Sequence, residues 1–275
     1  MKILAIGDFH GEFPEKLKRL AKSVDIILST GDYAGIREFR PLIHKMLRLR
    51  ARGIQMDIEL LAGKDYERLQ EKDYSEGKRV LEQLNKLGIV FSVFGNNDWY
   101  ESSSKKEKRD YGNVVKKLKN VQNINRSQEN IENFKIMGFG GYIDNDVYFT
   151  KKGGFTRDDS DKKRKKRYAK EKARFLKAIK TNPDILLLHY NPYGCLDKMK
   201  AKGFPLTGSH MGIGFFNQGI KQHKPLLVIC GHMHENQGIC KIGNSTIVNP
   251  GAALEGKAAI IDIENKKIKS VRFVK

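Results

Sequence analysis

Short apolar runs that close on glycine set the rhythm of this chain. "KILAIGD" (2–8) and "DIILSTGD" (25–32) are strand-length runs ending in Gly-Asp. Between them Phe13, Leu17, Leu20, Ala21 and Val24 recur at helical spacing, so the opening reads strand, helix, strand. Residues 35–88 carry a mostly helical pattern that ends with Val80, Leu81, Leu84 and Leu87 on one face, before Gly88 and a further strand, "IVFSVFG". "FKIMGFGG", "DILLLHY" and "PLLVICGH" are later strand-like runs. The tail then changes character, because "STIVNPG", "KAAIIDI" and "IKSVRFV" read as strands joined by tight turns. Alternating strands and helices followed by a β-rich tail predict a mixed sheet system with helices outside.

The residues just past these strands carry the chemistry. Asp8 and His10 follow the first, Asp32 the second, Asn96, Asn97 and Asp98 the third, His189 a later one, and His232 and His234 the next. Carboxyl ends of strands are where α/β folds assemble sites. Carboxylate and amide oxygens mixed with imidazoles suit Mn, Fe, Co or Zn better than Ca. Seven candidate ligands, Asp8, His10, Asp32, Asn96, His189, His232 and His234, are too many for one tetrahedral ion. If one carboxylate bridges, they supply four contacts to each of two ions, and such a pair, about 3.5–4 Å apart, can hold a bridging hydroxide and clamp a phosphoryl oxygen. Asp and Asn after a strand also start turns, but four histidines in such places are harder to assign to turn-making.

Composition changes the picture in one respect, charge. The 275 residues hold 52 Lys and Arg against 32 Asp and Glu, a net charge of +20. The excess gathers in residues 151–180 and, more weakly, in "KKEKR" (105–109). Such blocks attract polyanions, including nucleic acid, through phosphate contacts, and they also occur as plain solvated helices or loops. No apolar run is long enough to span a membrane. With a strand at the very start and three cysteines (Cys195, Cys230, Cys240) without CxxC spacing, the sequence leads us to expect core thiols and a cytoplasmic protein. One domain over 1–275 is expected, with a helical insertion near 35–75 and a basic insertion or lid near 142–175.

"GDFHG", "TGDY", "GNND", "LLHYNPYG" and "CGHMHE", in that order, resemble the five motifs of the calcineurin-like metallophosphoesterase superfamily, and "NPGAALEGKAAIIDI" resembles the closing strands of its small prokaryotic members. The resemblance implies an α/β (α+β) fold, a four-layer αββα sandwich of two mixed β-sheets flanked by helices. It also implies a dinuclear site of two divalent ions, with Mn favoured and Fe, Co, Ni or Zn as alternatives. Asp8, His10, Asp32 and His234 would hold the first ion, and Asp32, as bridge, with Asn96, His189 and His232 would hold the second. Asp98 would orient rather than ligate.

One departure bears on mechanism. The family motif has a histidine after Gly-Asn, placed to protonate the leaving group, and this chain has Asn97. An amide donates a hydrogen bond but delivers no proton, so phosphodiesters, cyclic nucleotides and aryl esters are expected to outpace alkyl monoesters. His210, in a Gly-rich stretch, is a candidate replacement acid and substrate contact, alongside Asn97, or else an ordinary surface histidine. Tyr33, Trp99, Tyr100 and Tyr190 either line a pocket that stacks a base or pack beneath the site. Asn191 either contacts phosphate or caps a turn. Three function classes follow: a phosphodiesterase working by in-line attack of a metal-bridging hydroxide, a basic nucleic-acid-binding protein with vestigial hydrolysis, and a scaffold that has lost its chemistry. All seven ligand positions being filled argues against the last.

Overall fold

The computed structural model describes residues 1–100, 108–144, 148–149, 155–156, 162–200 and 206–275. Two six-stranded mixed sheets lie face to face. In the first, β1 (Lys2–Ile6), β2 (Ile26–Ser29), β3 (Val90–Ser92) and β4 (Val121–Asn123) run parallel. The antiparallel hairpin of β13 (Ala258–Glu264) and β14 (Lys267–Val274) closes the β1 edge. In the second, β6 (Phe134–Phe139), β9 (Ile185–Leu188), β10 (Leu227–Ile229) and β12 (Ser245–Asn249) form the parallel centre. The antiparallel strands β5 (Gln128–Ile131) and β11 (Gly238–Ile242) flank it. A separate two-stranded ribbon pairs β7 (Tyr148–Phe149) with β8 (Phe155–Thr156).

Alternation along the strands decides the layers, since successive side chains point to opposite faces. Ile3 and Ala5 of β1, Ile26 and Leu28 of β2, Ile185 and Leu187 of β9 and Leu227 and Ile229 of β10 share one core, the seam between the sheets. Leu4, Ile6 and Ile27 turn the other way and meet α1 (Glu15–Ala21) and α4 (Tyr66–Leu84) through Leu17, Val80, Leu81 and Leu84. On the far side Phe139, Leu186, Leu188 and Val228 pack against α6 (Lys162–Ala178) and α7 (Gly214–His223). The result is the αββα sandwich.

The helical pattern over 35–88 becomes α2 (Phe39–Ala51), α3 (Ile58–Ala62), a 3-10 turn at Gly63–Asp65 and α4. A further short helix, α5 (Tyr111–Val115), precedes β4. Within the basic stretch, 145–147, 150–154, 157–161 and, in the smaller cluster, 105–107 lie outside the described residues. The described part holds α6, whose Phe175 is fully buried and meets Phe139 and Phe216 with ring centroids 5.2 and 4.8 Å apart. Part of the α6 charge is met within the chain. Arg167 and Arg164 reach the buried Asp144, and Arg174 and Arg126 share Glu171.

The cysteines depart from expectation. Cys195 and Cys240, 45 residues apart, form a disulfide, and only Cys230 is a buried free thiol among the described residues. No spacing signal announces that pair, because folding alone brings the two cysteines together. It also withdraws the support that three free thiols lent to a cytoplasmic location. Thiol titration in denaturant should therefore find one reactive thiol per chain without reductant and three after reduction; three from the start would rule out the disulfide.

Candidate metal centre

Five strand ends from two sheets converge on one edge of the sandwich. Asp8 and His10 follow β1, Asp32 follows β2 and Asn96 follows β3, while His189 and the pair His232 and His234 follow β9 and β10. The loops are sewn together by their backbones: Asp8 N–H donates to Gly31 O at 2.8 Å, Phe9 and His10 N–H donate to Asp32 O at 2.9 Å, and Gly231 N–H donates to His189 O at 2.8 Å. Asp8, His10, Asp32 and His232 all sit at positive φ, between 45° and 65°. Non-glycine residues rarely accept that region, and such strain gathers where surroundings over-determine a functional geometry. Two glycines of the motifs permit the close approach. A Cβ on Gly95 would stand 2.0 Å from Asp32 Oδ1, and one on Gly231 2.6 Å from Asp8 Oδ2.

Two groups of possible ligand atoms result, each within 4.8 Å: Asp8 with His10 and His234, and Asp8 with Asp32 and His189. Asp32 also reaches across, with Oδ2 3.7 Å from His10 Nε2 and Oδ1 3.8 Å from His189 Nε2. Asp8 lies 3.4 Å from His234 Nε2 and accepts the His232 N–H at 3.0 and 3.1 Å. The His232 ring lies 5.2 Å from that of His189, centroid to centroid.

The donor set fits cations. His189 Nδ1 is 2.8 Å from Thr30 O, a carbonyl that can only accept, so Nδ1 carries a proton and Nε2 is the nitrogen turned toward the site. Nε2 faces the Asn96 side-chain amide at 2.8 Å. His10 Nε2 and His234 Nε2 face each other at 3.1 Å. Imidazole nitrogens and carboxylate oxygens gathered in this way are a donor set that a divalent ion can take up once the rings are deprotonated.

Electrostatics point the same way. Burial pushes His10 down to about 4 and His232 down to about 3, so both rings are neutral at pH 7. Burial works against ionisation of Asp32, but His189, His10 and the Asn97 N–H outweigh it and hold the carboxyl at about 2. Burial likewise opposes ionisation of Asp8, and the neighbouring His234 overcomes it and lowers that carboxyl. Burial would discharge His234, yet the Asp8 charge raises it above the ordinary histidine value.

Asp98 accepts backbone N–H groups from Asp32, Tyr33, Ala34 and Gly95 at 2.6–3.2 Å, pinning the β2 and β3 loops to each other. Asn97 spends its amide on Asp32: its N–H meets Oδ1 at 3.0 Å and its Nδ2 meets Oδ2 at 2.8 Å. His210 joins neither group. Its Nδ1 lies 2.6 Å from the buried Asp197, and its ring lies 5.2 Å from Tyr193. Tyr33 and Tyr190 are buried, Tyr33 with its hydroxyl on Ser29, and so pack beneath the site. Asn191 is buried too, with its Nδ2 on Cys230 Sγ. Sequence reasoning missed Thr30 and Asp73. Thr30 acts through its backbone carbonyl, which no side chain announces. Asp73 does have a signal, as an acid on the buried stripe Leu69, Asp73, Gly77, Val80 and Leu84 of α4.

A family model described as "Metallophosphoesterase, calcineurin superfamily" matches residues 1–273. The protein MJ1162 of Methanocaldococcus jannaschii is 26% identical over 259 residues, which cover 91% of this chain and 88% of that protein. The solved structure of TT1561 of Thermus thermophilus superposes with a TM-score of 0.53 at 20% identity, covering 100% of this chain and 99% of that one. A dimetal phosphatase from Danio rerio superposes with a TM-score of 0.52 at 11% identity, covering 96% of this chain and 93% of that one.

The neutral rings make a pH prediction for metal-stripped protein. His10 titrates near 4 folded and near 6.5 unfolded, so the unfolded state binds the extra proton between those values and folding loses stability as pH falls through them. Burial and the Asp32 charge raise Asp98 to about 7, and burial raises Asp73 to about 7; both act with the opposite sign, so the whole-protein curve is not diagnostic. The difference between wild type and His10→Gln is diagnostic. The variant should gain on wild type by roughly 3 kcal/mol between pH 7 and pH 4 in denaturant unfolding. A pH-independent difference would mean that His10 is not buried as a neutral ring.

Proposed function

The chain belongs to the calcineurin superfamily of metallophosphoesterases, and from that premise we propose that it is a dinuclear, metal-dependent phosphodiesterase of nucleotide-type esters, with manganese as the favoured metal. Asp8, His10, Asp32 and His234 would hold one ion, and Asp32, Asn96, His189 and His232 the other. The observation that carries the reading is the pair of ligand groups that share Asp8 and are spanned by Asp32. Divalent ions held there would supply a nucleophile at neutral pH and positive charge for the phosphoryl oxygens.

The chain's own residues do the rest. Asp98 and Asn97 fix Asp32 from behind, through the loop backbone and through its two oxygens. Thr30 O fixes the tautomer of His189. Asn97 stands where an acid would serve a poor leaving group, and its amide is committed to Asp32. This arrangement favours esters whose leaving group departs without a proton, which is why the diester reading is preferred to the monoester one. His210 holds the buried Asp197 through Nδ1 and lies in neither ligand group, so the replacement acid it could supply is a separate proposal. The basic stretch 151–180 remains an accessory whose nucleic-acid role is a separate proposal. Among the described residues no helix is long and apolar enough to cross a membrane.

Metal-stripped protein resupplied with Mn should hydrolyse a bis-aryl phosphate and bind two ions per chain by calorimetry. Asp32→Asn should lower kcat/KM by at least about 10²-fold and weaken both binding events. Turnover without metal, or full turnover in the variant, would refute the dinuclear reading. Asn97→His should raise hydrolysis of an alkyl phosphomonoester relative to the bis-aryl ester by at least about tenfold, since a positioned general acid contributes about 10²–10⁴. An unchanged ratio would show that the leaving group is not limited by its proton.

A further inference from the structure

A cavity of about 200 Å³ opens beside the metal centre, between the helical segment and the loop after β3. Phe39 of α2, Tyr66 of α4 and Trp99 present rings to it, and Ile43 and Ile58 add aliphatic wall. Asn97 lines it too, and the same side chain donates to Asp32, so the cavity begins one residue from a carboxylate of the metal centre. Its volume is below the roughly 300–1,000 Å³ of a drug-sized pocket and suits a single flat ring system.

The cavity is not simply greasy. Gln70 and Asp73 line it, one turn apart on α4, so their side chains are neighbours. Gln70 Oε1 accepts from Arg109 at 3.2 Å, while its Nε2 has no partner among the described residues. Asp73 Oδ2 takes the Trp99 indole N–H at 2.6 Å, and its Oδ1 has no partner among the described residues. Two unspent polar groups side by side in an apolar cavity ask for a ligand with adjacent hydrogen-bonding atoms, because a purely apolar guest would leave them unpaired. Trp99 is a prepared wall: Asp73 holds its N–H, and the Arg109 guanidinium lies 4.8 Å from its ring centre.

We propose that this cavity receives the nucleobase of a nucleotide-type phosphodiester, stacked against Trp99 and read along its edge by Gln70 and Asp73, while the phosphoryl group lies at the Asn97 end. The inference rests on the phosphodiesterase reading for its phosphoryl half and on the cavity for its base half. Asp73 suits an edge-reading role, since burial raises its carboxyl to about 7 and so lets it donate or accept near neutrality.

The test compares two esters with one leaving group, a nucleoside 5′-(p-nitrophenyl) phosphate and methyl p-nitrophenyl phosphate. It is paired with calorimetric binding of a nucleoside 5′-monophosphate against ribose 5-phosphate. Wild type should favour the nucleoside ester in kcat/KM by at least about tenfold, mainly through KM, and bind the monophosphate tighter by a similar factor. Ile43→Trp, which fills the cavity, and Gln70→Ala/Asp73→Ala, which removes the edge contacts, should each bring both ratios toward one. Ratios near one in wild type, or variants that lose both esters by the same factor, would overturn the proposal. Base-dependent binding without turnover of either ester would sink the hydrolase reading and keep the cavity. Turnover of both esters without base preference would do the reverse.

Discussion

Two carboxylates buried side by side are the constraint around which this fold is arranged. Asp8 and Asp32 are almost wholly withdrawn from water, 0% and 1% exposed, and each burdens the other with like charge. Burying a charge is costly unless it is paired and hydrogen-bonded. The chain meets the cost from several directions at once. His10, His189 and His234 bring imidazoles within 3.4–3.8 Å of the carboxylates, and backbone N–H groups of Asn97 and His232 donate to Asp32 and Asp8 as well. No single strand could supply that set. It requires the parallel strand ends of two sheets to meet at one edge, which the face-to-face packing of their inner cores achieves.

The same constraint explains where the backbone is strained. Asp8, His10, Asp32 and His232 lie in the left-handed region, while the strands that lead to them are regular and, Lys2 apart, buried. A carboxylate that must turn back across its own strand end leaves the β-region abruptly, and a rigid sheet beneath holds it there. Dissolving the two sheets would release the strain and scatter the ligand groups together, so stability of the sandwich and geometry of the centre are one property.

How much of this was legible in the sequence follows from the range of each interaction. The central strands announced themselves because buried parallel strands are near-continuous apolar runs, as "DIILS" and "DILLL" are. The edge strands β4 "VQN", β5 "QENI" and β11 "GICKI" gave no such signal, being short or half polar; β5 and β11 are held as hairpin partners of the apolar strands β6 and β12, and β4 takes its register from β3, about thirty residues earlier. The strand-end ligand candidates were legible for a local reason, since each follows an apolar run within a few residues. What connects them was not. The Thr30 carbonyl on His189, the Cys195–Cys240 disulfide and the Asp73 contact with Trp99 are all tertiary, and nothing local in the chain pairs these residues.

Asn97 shows why a departure from a motif is best judged by what the new side chain does. Read as a lost histidine, it subtracts a proton donor. In the folded chain it is also a bidentate clamp on Asp32, and it forms one wall of the cavity that α2, α3 and α4 build against the β3 loop. The helical segment thus meets the centre at that residue. Selectivity in such an arrangement passes from proton delivery to the shape of what leaves or stays beside the phosphoryl group. On the proposed reading the centre handles phosphoryl oxygens, which every ester has, and the cavity adds to the leaving-group preference at Asn97 a second means of telling one ester from another.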